Sequence, residues 1–533
     1  MTNFEIGIGI DLGSSAVRVG IYDTKTDGLL RVISRKVSYT NWGSGKVTQS
    51  SEEIMSAIGH CFKTLKVDIR HVKSCGVAAT CSMAVFERHH GQGLLPIDVY
   101  GYCTSTPHNV VFWMDNFARE ECNALNKQDI QEKHFMGGSF IPEMAIPKLM
   151  NIAARYSDNL EINLEVFDLH TYIAYAIATS FSWDARALVN VSTTNGIGHD
   201  GELRGWKPSF YSEVVCLPNN IFIGPLSIPE PAYPTKVVSC IDCYSGWFSI
   251  FPSSPEYSLF IAAGTSTCYL YATKNSTKCI PGVWGPFTDI IDDTNHSSWQ
   301  IYEAGQSATG LLIEHLFQSH PAAIAFGGSR AEIFEKIERI IMEEEEKSGK
   351  SIHFQAKHKF MYGELQGNRT PYCNPSMSGV FIGETTDRSF FDLTLKYISA
   401  LEFLAFQTKQ IIDSFENNIK ELRVVGSQAD NARLLSLISL VNNQMPIKVP
   451  LENASLMGVR GAYLMGKAKA EGKPIFEVIE CRDRLSKIVK DATVIKIDDE
   501  KSLKKLLNVK YEIFLDMAKV QQKYISMVNT LNY

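Results

Sequence analysis

The stretch Ile6-Gly-Ile-Gly-Ile-Asp-Leu-Gly-Ser-Ser15, followed by Val17-Arg-Val-Gly-Ile-Tyr22, places two β-prone runs around a tight polar turn. The first run ends on an acid, Asp11. A turn of Gly13, Ser14 and Ser15 can aim backbone N–H groups and hydroxyls at one point, which suits a phosphate. A carboxylate beside that point suits hydrated Mg²⁺, which takes one or two carboxylates plus phosphate oxygens and water. The pattern recurs in the second half of the chain. Leu259-Phe-Ile-Ala-Ala-Gly-Thr-Ser-Thr267 is again an apolar run entering a Gly-hydroxyl turn, with Gly264, Thr265 and Ser266 in the place of Gly13, Ser14 and Ser15. Two such hairpins point to two similar lobes acting on one nucleotide. Taken singly, each is also an ordinary β-hairpin. Neither is a common nucleotide fingerprint: Gly7, Gly9 and Gly13 have the wrong spacing for G-x-G-x-x-G, and G-x-x-x-x-G-K-[ST] does not occur.

A chain of 533 residues exceeds the usual size of one hydrophobic core, so two domains are expected. With 45% hydrophobic and 21% charged residues the composition is that of a globular protein. A net charge of −6 supplies no attraction to nucleic acid or to an anionic membrane. The apolar part of 172–181 is too short to span a bilayer, and no cleavable leader is apparent, so a cytoplasmic location is expected. The twelve scattered cysteines read as reduced thiols. Cys240-Ile-Asp-Cys243 lacks a second pair that would complete a metal set.

Helices are expected over 50–66, 168–179, 393–415 and 431–442. Another should open at the capping box Ser329-Arg-Ala-Glu332, with Ile333, Phe334, Ile337, Ile340 and Ile341 on one face. Strands are expected over 74–86, before Asp242, over 259–271 and at Arg423-Val-Val425. Mixed strands and helices give an α/β class. The lobe boundary is placed near residue 255, giving a first lobe of 1–255, a second of 256–470 and a helical, Lys-rich extension of 471–533 on the second lobe.

Further motifs follow in order: Thr80-Cys-Ser-Met83, Trp113-Met-Asp115, Glu143-Met-Ala-Ile-Pro-Lys148, Phe167-Asp-Leu169, Ile241-Asp242, Gly264-Thr-Ser-Thr-Cys268, Gly282-Val-Trp-Gly-Pro286, Gly305-Gln-Ser-Ala308, Gly367-Asn-Arg-Thr-Pro371 and Gly426-Ser-Gln428. Together with Gly9-Ile-Asp-Leu-Gly-Ser-Ser15 this set resembles the FGGY carbohydrate kinases, and within them the pentulose, ribulokinase-like branch. The likeness runs from the first strand to about residue 467. It implies the actin-like ATPase architecture, two ribonuclease-H-like lobes with ATP and sugar in the cleft between them. It also implies phosphoryl transfer from ATP to a sugar hydroxyl, with D-ribulose the leading acceptor. The alternatives are another ketose, a sugar alcohol, or a non-catalytic actin-fold ATP-binding regulator.

By the same resemblance Asp242 corresponds to the catalytic base; on composition alone a helix N-cap is the preferred reading. Asp11 would hold Mg²⁺ through water. The sugar would contact Ser82, Met83, Trp113, Asp115 and Glu143, since polyols need carboxylate acceptors and an aromatic face. The nucleotide would contact Gly13, Ser14, Ser15, Gly264, Thr265, Ser266, Gln306 and Asn368, with adenine on Gly426 and Ser427. The partners implied are the sugar and ATP, with no nucleic acid or membrane; a homodimer is an open alternative to a monomer. The chain departs from the family pattern at Asn116 and Phe117, where His and Arg are usual, at Thr194 for a Lys, Tyr244 for a His, Ala304 for a Gly, and Ser427 for the second Gly of the adenosine turn.

Overall fold

A computed structural model describes residues 5–531 apart from 90–92, 158–160, 189–197, 200, 275, 289, 291–298, 416–417, 480–487, 494 and 496–498. Thr194 therefore lies outside the described residues. The chain forms two compact units. One comprises Met1–Pro255, Leu270–Glu303 and Ser455–Ile488; the other comprises Glu256–Tyr269, Ala304–Ala454 and Val489–Tyr533. The three consecutive segments expected from sequence differ from this division: 270–303 and 455–488 cluster with the first unit.

The first unit is built on a five-stranded sheet of β1 (Ile6–Leu12), β2 (Ala16–Asp23), β3 (Leu29–Lys36), β4 (Val72–Ala79) and β5 (Lys236–Ile241), in the order β5-β4-β1-β2-β3. β1, β2 and β3 are antiparallel neighbours, while β4 and β5 run parallel to β1. Ile8, Ile10, Val19, Val77 and Val237 are wholly buried in one core with Ile58, Phe167 and Ile173. The helices Ser51–Leu65 and Leu169–Phe181 contribute to that core.

A third helix, Met457–Glu471, lies against the sheet at backbone distance. A Cβ at Gly9 would sit 2.0 Å from the Val459 carbonyl oxygen, and one at Gly76 1.7 Å from that of Ala462. No side chain fits at either position. The glycines of β1 that fail the dinucleotide pattern thus make room for a helix from the far end of the chain. Tyr463 stacks on Tyr22 at 4.3 Å, and Lys467 donates to both Asp27 oxygens at 2.8 and 2.9 Å, pinning the helix in register. These contacts place 455–488 in the first unit, which no local pattern announces.

β6 (Ser258–Ala263) enters the turn at Gly264 and β7 (Thr267–Thr273) leaves it. β6 pairs in parallel with β8 (Glu421–Val425), and β8 with β9 (Ile447–Pro450); β10 (Val489–Asp491) adds antiparallel to β9. The capping box at Ser329 and Glu332 forms as expected and opens the helix Arg330–Ser348, which buries Ile333, Ile337 and Ile341. The helix Phe390–Asp413 is buried along most of its length. The C-terminal helix Glu500–Asn529 docks on it through Lys510, only 2% exposed, which pairs with Glu402 and donates to the Ala356 carbonyl at 3.0 Å. Among the described residues no helix is long and apolar enough to cross a membrane, and the cysteines are free thiols.

Candidate active site

β1 delivers Asp11 at its end, 7% exposed, and the chain turns at once through Gly13, whose N–H donates to the Ala16 carbonyl at 3.1 Å. Gly13 and Ser14 are half-buried and Ser15 is exposed, so the turn is open to a ligand. Arg18 Nη1 donates to Asp11 Oδ2 at 3.5 Å. Burial nonetheless raises the Asp11 carboxyl to about 6, against the charge of Arg18.

β5 ends where Asp242 opens the helix Asp242–Ser249. Asp242 is half-buried, and its carboxyl is raised to about 7, first by desolvation and then by the negative charge of Asp11. The backbone N–H of Cys243 and the imidazole of His170 offset part of this. Ile241 holds the N-cap position and no side chain caps this helix, so Asp242 opens its first turn without serving as the N-cap. Two carboxyls, one raising the pKa of the other, with a guanidinium 3.5 Å from one of them, leave a deficit of positive charge. A hydrated divalent cation carrying phosphate oxygens would fill it, and the residues present fit Mg²⁺ on that ground.

Ser82, Trp113 and Ser14 come together. The Trp113 backbone N–H donates to Ser82 Oγ at 2.9 Å, and its indole N–H donates to Ser14 Oγ at 3.0 Å. The expected sugar platform thus also braces the phosphate turn. Lys148, 3% exposed, donates to the carbonyls of Phe112 and Trp113 at 2.8 and 2.9 Å, so the Glu143–Lys148 motif holds the Trp113 loop. Glu143 precedes the helix Ala145–Tyr156 and is 7% exposed; Met83 is 1% exposed, paired in its strand with Val111 and Asp168.

Asp115 is held differently from the other residues expected at the sugar. The sequence reading assigned its carboxylate to sugar hydroxyls. It is wholly buried, and its oxygens accept from the Val47 N–H at 2.7 Å, the Tyr100 hydroxyl at 2.9 Å and the Phe117 N–H at 3.2 Å. Burial raises this carboxyl, against the charge of Lys148 and these donors. These bonds tie Asp115 to Val47 and Tyr100 as well as to its own loop. At the departures Asn116 and Phe117, the Asn116 N–H donates to the Gly45 carbonyl at 2.9 Å, and Lys46 Nζ lies 4.4 Å from the Phe117 ring centre, a cation brought by a different element.

In the second unit Gly264, Thr265 and Ser266 are half-buried, and the carbonyls of Gly264 and Thr265 accept from Gly310, Thr309 and Leu311 at 3.0–3.1 Å, seating the helix Gly310–Ser319. Gly426 adopts φ +89°, and a Cβ there would lie 2.4 Å from the Ala263 carbonyl oxygen; Ser427 beside it is exposed. Gln306 and Asn368, expected beside the nucleotide, are each 1% exposed. Gln306 bonds Gln407 and Thr309, while Asn368 donates to Glu364 at 2.9 Å. Both belong to a buried polar network around Glu364, whose carboxyl burial raises to about 7. Both side chains are engaged within that network.

Some polar groups near Asp242 escaped the sequence reading. Glu202 Oε1 lies 3.2 Å from His170 Nε2, and its Oε2 3.2 Å from His199 Nδ1. Burial works against the carboxylate, but the two imidazoles hold it well below the usual range. The departure Tyr244 donates its hydroxyl to Glu303 Oε2 at 2.8 Å. His170, His199, Glu202, Ser239, Cys240 and Tyr244 line a cavity of about 230 Å³ beside the strand that carries Asp242. Only His199, three residues before Glu202, is a neighbour in the chain; His170 lies 32 residues away, so no spacing marks the site.

Residues 259–466 match the C-terminal domain of the FGGY family of carbohydrate kinases. The chain is 45% identical to Protein MPA43 of Saccharomyces cerevisiae, over 99% of this chain and 98% of that protein. It is 28% identical to a D-ribulokinase of the same yeast, over 87% of this chain and 72% of that one. Among solved structures, a ligand-bound xylulose kinase from Lactobacillus acidophilus aligns with a TM-score of 0.69 at 14% identity, covering 98% of this chain and 100% of that one. A glycerol kinase from Plasmodium falciparum aligns with a TM-score of 0.65 at 13% identity, covering 96% and 98%. The α/β architecture is that of these sugar kinases, and the chain belongs to the FGGY family of carbohydrate kinases.

Proposed function

We propose that this FGGY kinase phosphorylates a pentulose, D-ribulose first among the candidates, with ATP as donor. The observation that carries the reading is Asp242, a carboxyl at a helix N-terminus lifted to about 7, near the working pH of a general base. The likeness to a D-ribulokinase over 87% of the chain supports the acceptor class.

In this reading Asp242 accepts the proton of the attacking hydroxyl as that oxygen bonds to the γ-phosphorus and the bridging oxygen leaves with ADP. Asp11, through water, would hold Mg²⁺, whose charge would offset that of the phosphates. The turns at 13–15 and 264–266 offer N–H groups and hydroxyls to phosphate oxygens. Trp113 keeps the Ser14 hydroxyl in place. Glu143 accepts from sugar hydroxyls, with Ser82, Met83 and Trp113 shaping the pocket. Asp115 acts as a positioning residue for the Trp113 loop. The exposed Ser427 beside Gly426 borders the adenine.

The Tyr244–Glu303 bond and the Phe117–Lys46 contact favour a second reading, in which the mechanism stands but the acceptor is another ketose or a sugar alcohol. An ADP-release screen of the purified protein against D-ribulose, L-ribulose, D-xylulose, ribitol and glycerol separates the two. Highest kcat/KM on D-ribulose supports the first; preference for ribitol or glycerol removes it. ADP release that no sugar stimulates would favour a regulator.

A further inference from the structure

The carboxyl of Asp11 meets the first turn of the helix Met457–Glu471. A Cβ on Gly458 would lie 2.6 Å from Asp11 Cγ, 2.7 Å from Oδ2 and 2.8 Å from Oδ1. These atoms end a short, rotatable side chain, so an added methyl displaces the carboxyl before it displaces any backbone. The Gly458 carbonyl accepts the Ser245 hydroxyl at 2.6 Å, and Ser245 lies one helical turn beyond Asp242. Gly461, on the same helix, faces Ser245 so closely that a Cβ would fall 1.6 Å from its carbonyl oxygen. One turn of helix therefore touches the strand end that carries Asp11 and the helix that carries Asp242. Neither contact follows from any of the motifs.

We infer that Gly458 is a positioning residue for the reaction: its lack of a side chain sets where the Asp11 carboxylate lies relative to Asp242. The inference rests on the reading of Asp11 as the acid that serves the metal–nucleotide complex. Displacing a reacting-site group by about 1 Å costs on the order of 10²-fold in rate. Alanine is otherwise favoured in a helix over glycine, so the substitution carries no intrinsic backbone penalty.

The test is a cycle of Gly458→Ala, Asp11→Ala and the double variant in the full chain, read by calorimetric titration with Mg²⁺·ADP, by thermal melting, and by kcat on the best sugar. Gly458→Ala should weaken Mg²⁺·ADP binding roughly tenfold and lower kcat roughly 10–100-fold, with D-ribulose affinity measured without nucleotide unchanged. In the Asp11→Ala background the same substitution should have no further effect, because the clashing carboxyl is gone. Equal losses in both backgrounds would show that the helix acts independently of Asp11 and would overturn the inference, as would unchanged binding and turnover in Gly458→Ala. If Gly458→Ala fails to fold, recovery of the wild-type melting midpoint in the double variant supports it, and no recovery overturns it. Unchanged Mg²⁺·ADP affinity in Asp11→Ala alone would instead remove Asp11 from the metal site, and the inference with it.

Discussion

Replacing Asp242 by asparagine separates what the carboxyl costs the fold from what it does in the reaction. Desolvation, then the charge of Asp11, raises this carboxyl from 3.8 to about 7. At ~1.4 kcal/mol per tenfold in acidity, the ionised form costs the native state roughly 4 kcal/mol in the limit. Asp242 is half-buried, and water reaching it trims the figure to roughly 2–3 kcal/mol. The folded state holds the proton more tightly than the unfolded chain. Stability from this group is therefore fully present below about pH 4 and is lost as pH rises through about 7. Asparagine removes the titration, with a smaller loss of roughly 0.3–1 kcal/mol for a neutral residue at a helix N-terminus. At pH 8 Asp242→Asn should melt a few degrees above the wild type, and the gap should narrow towards pH 5. Turnover should fall roughly 10²–10⁴-fold, the range for losing a general base. Calorimetric melting from pH 5 to 8, with steady-state ADP release on the best sugar, checks both. A variant less stable than wild type at pH 8 would refute the electrostatic reasoning, and retained turnover would refute the base.

Asp115→Ala leaves the Val47 N–H and the Tyr100 hydroxyl without their buried acceptor, and should lower stability by roughly 2–4 kcal/mol in urea unfolding; an unchanged midpoint with a raised sugar KM would return Asp115 to the substrate. Glu143→Ala should raise the sugar KM at least roughly tenfold and leave the ATP KM within about twofold, since a hydrogen bond to a charged group contributes about 1.5–3 kcal/mol. Equal effects on both substrates would make Glu143 a structural group. Trp113→Phe keeps the backbone bond to Ser82 but frees the Ser14 hydroxyl, and the ATP KM should rise roughly 2–10-fold; an unaltered ATP KM would detach the indole from the phosphate turn.

The local chemistry of this chain is written in its sequence wherever neighbours in the chain are neighbours in space. The hairpin at Gly13, the capping box at Ser329, and the strand that ends at Asp242 are set by residues within one or two turns of one another, and each forms as read. The family was legible too, because its motifs keep their order along the chain. What only the tertiary structure decided was the surroundings of each acid. Asp115 and Glu143 are both carboxylates near the same loop, yet one is saturated by donors from Val47, Tyr100 and Phe117, the first of them a long-range contact. Gln306 and Asn368 turn inward to Glu364 because the helix Phe390–Asp413 brings Gln407 to the same buried carboxylate. Glu202 has His199 three residues away in the chain but gains His170, 32 residues earlier, only through tertiary folding. The helix Met457–Glu471 joins the first unit because glycines in β1 and β4 admit its backbone. That fit depends on the three-dimensional distance between residues at opposite ends of the chain, which no local pattern of polarity or propensity encodes.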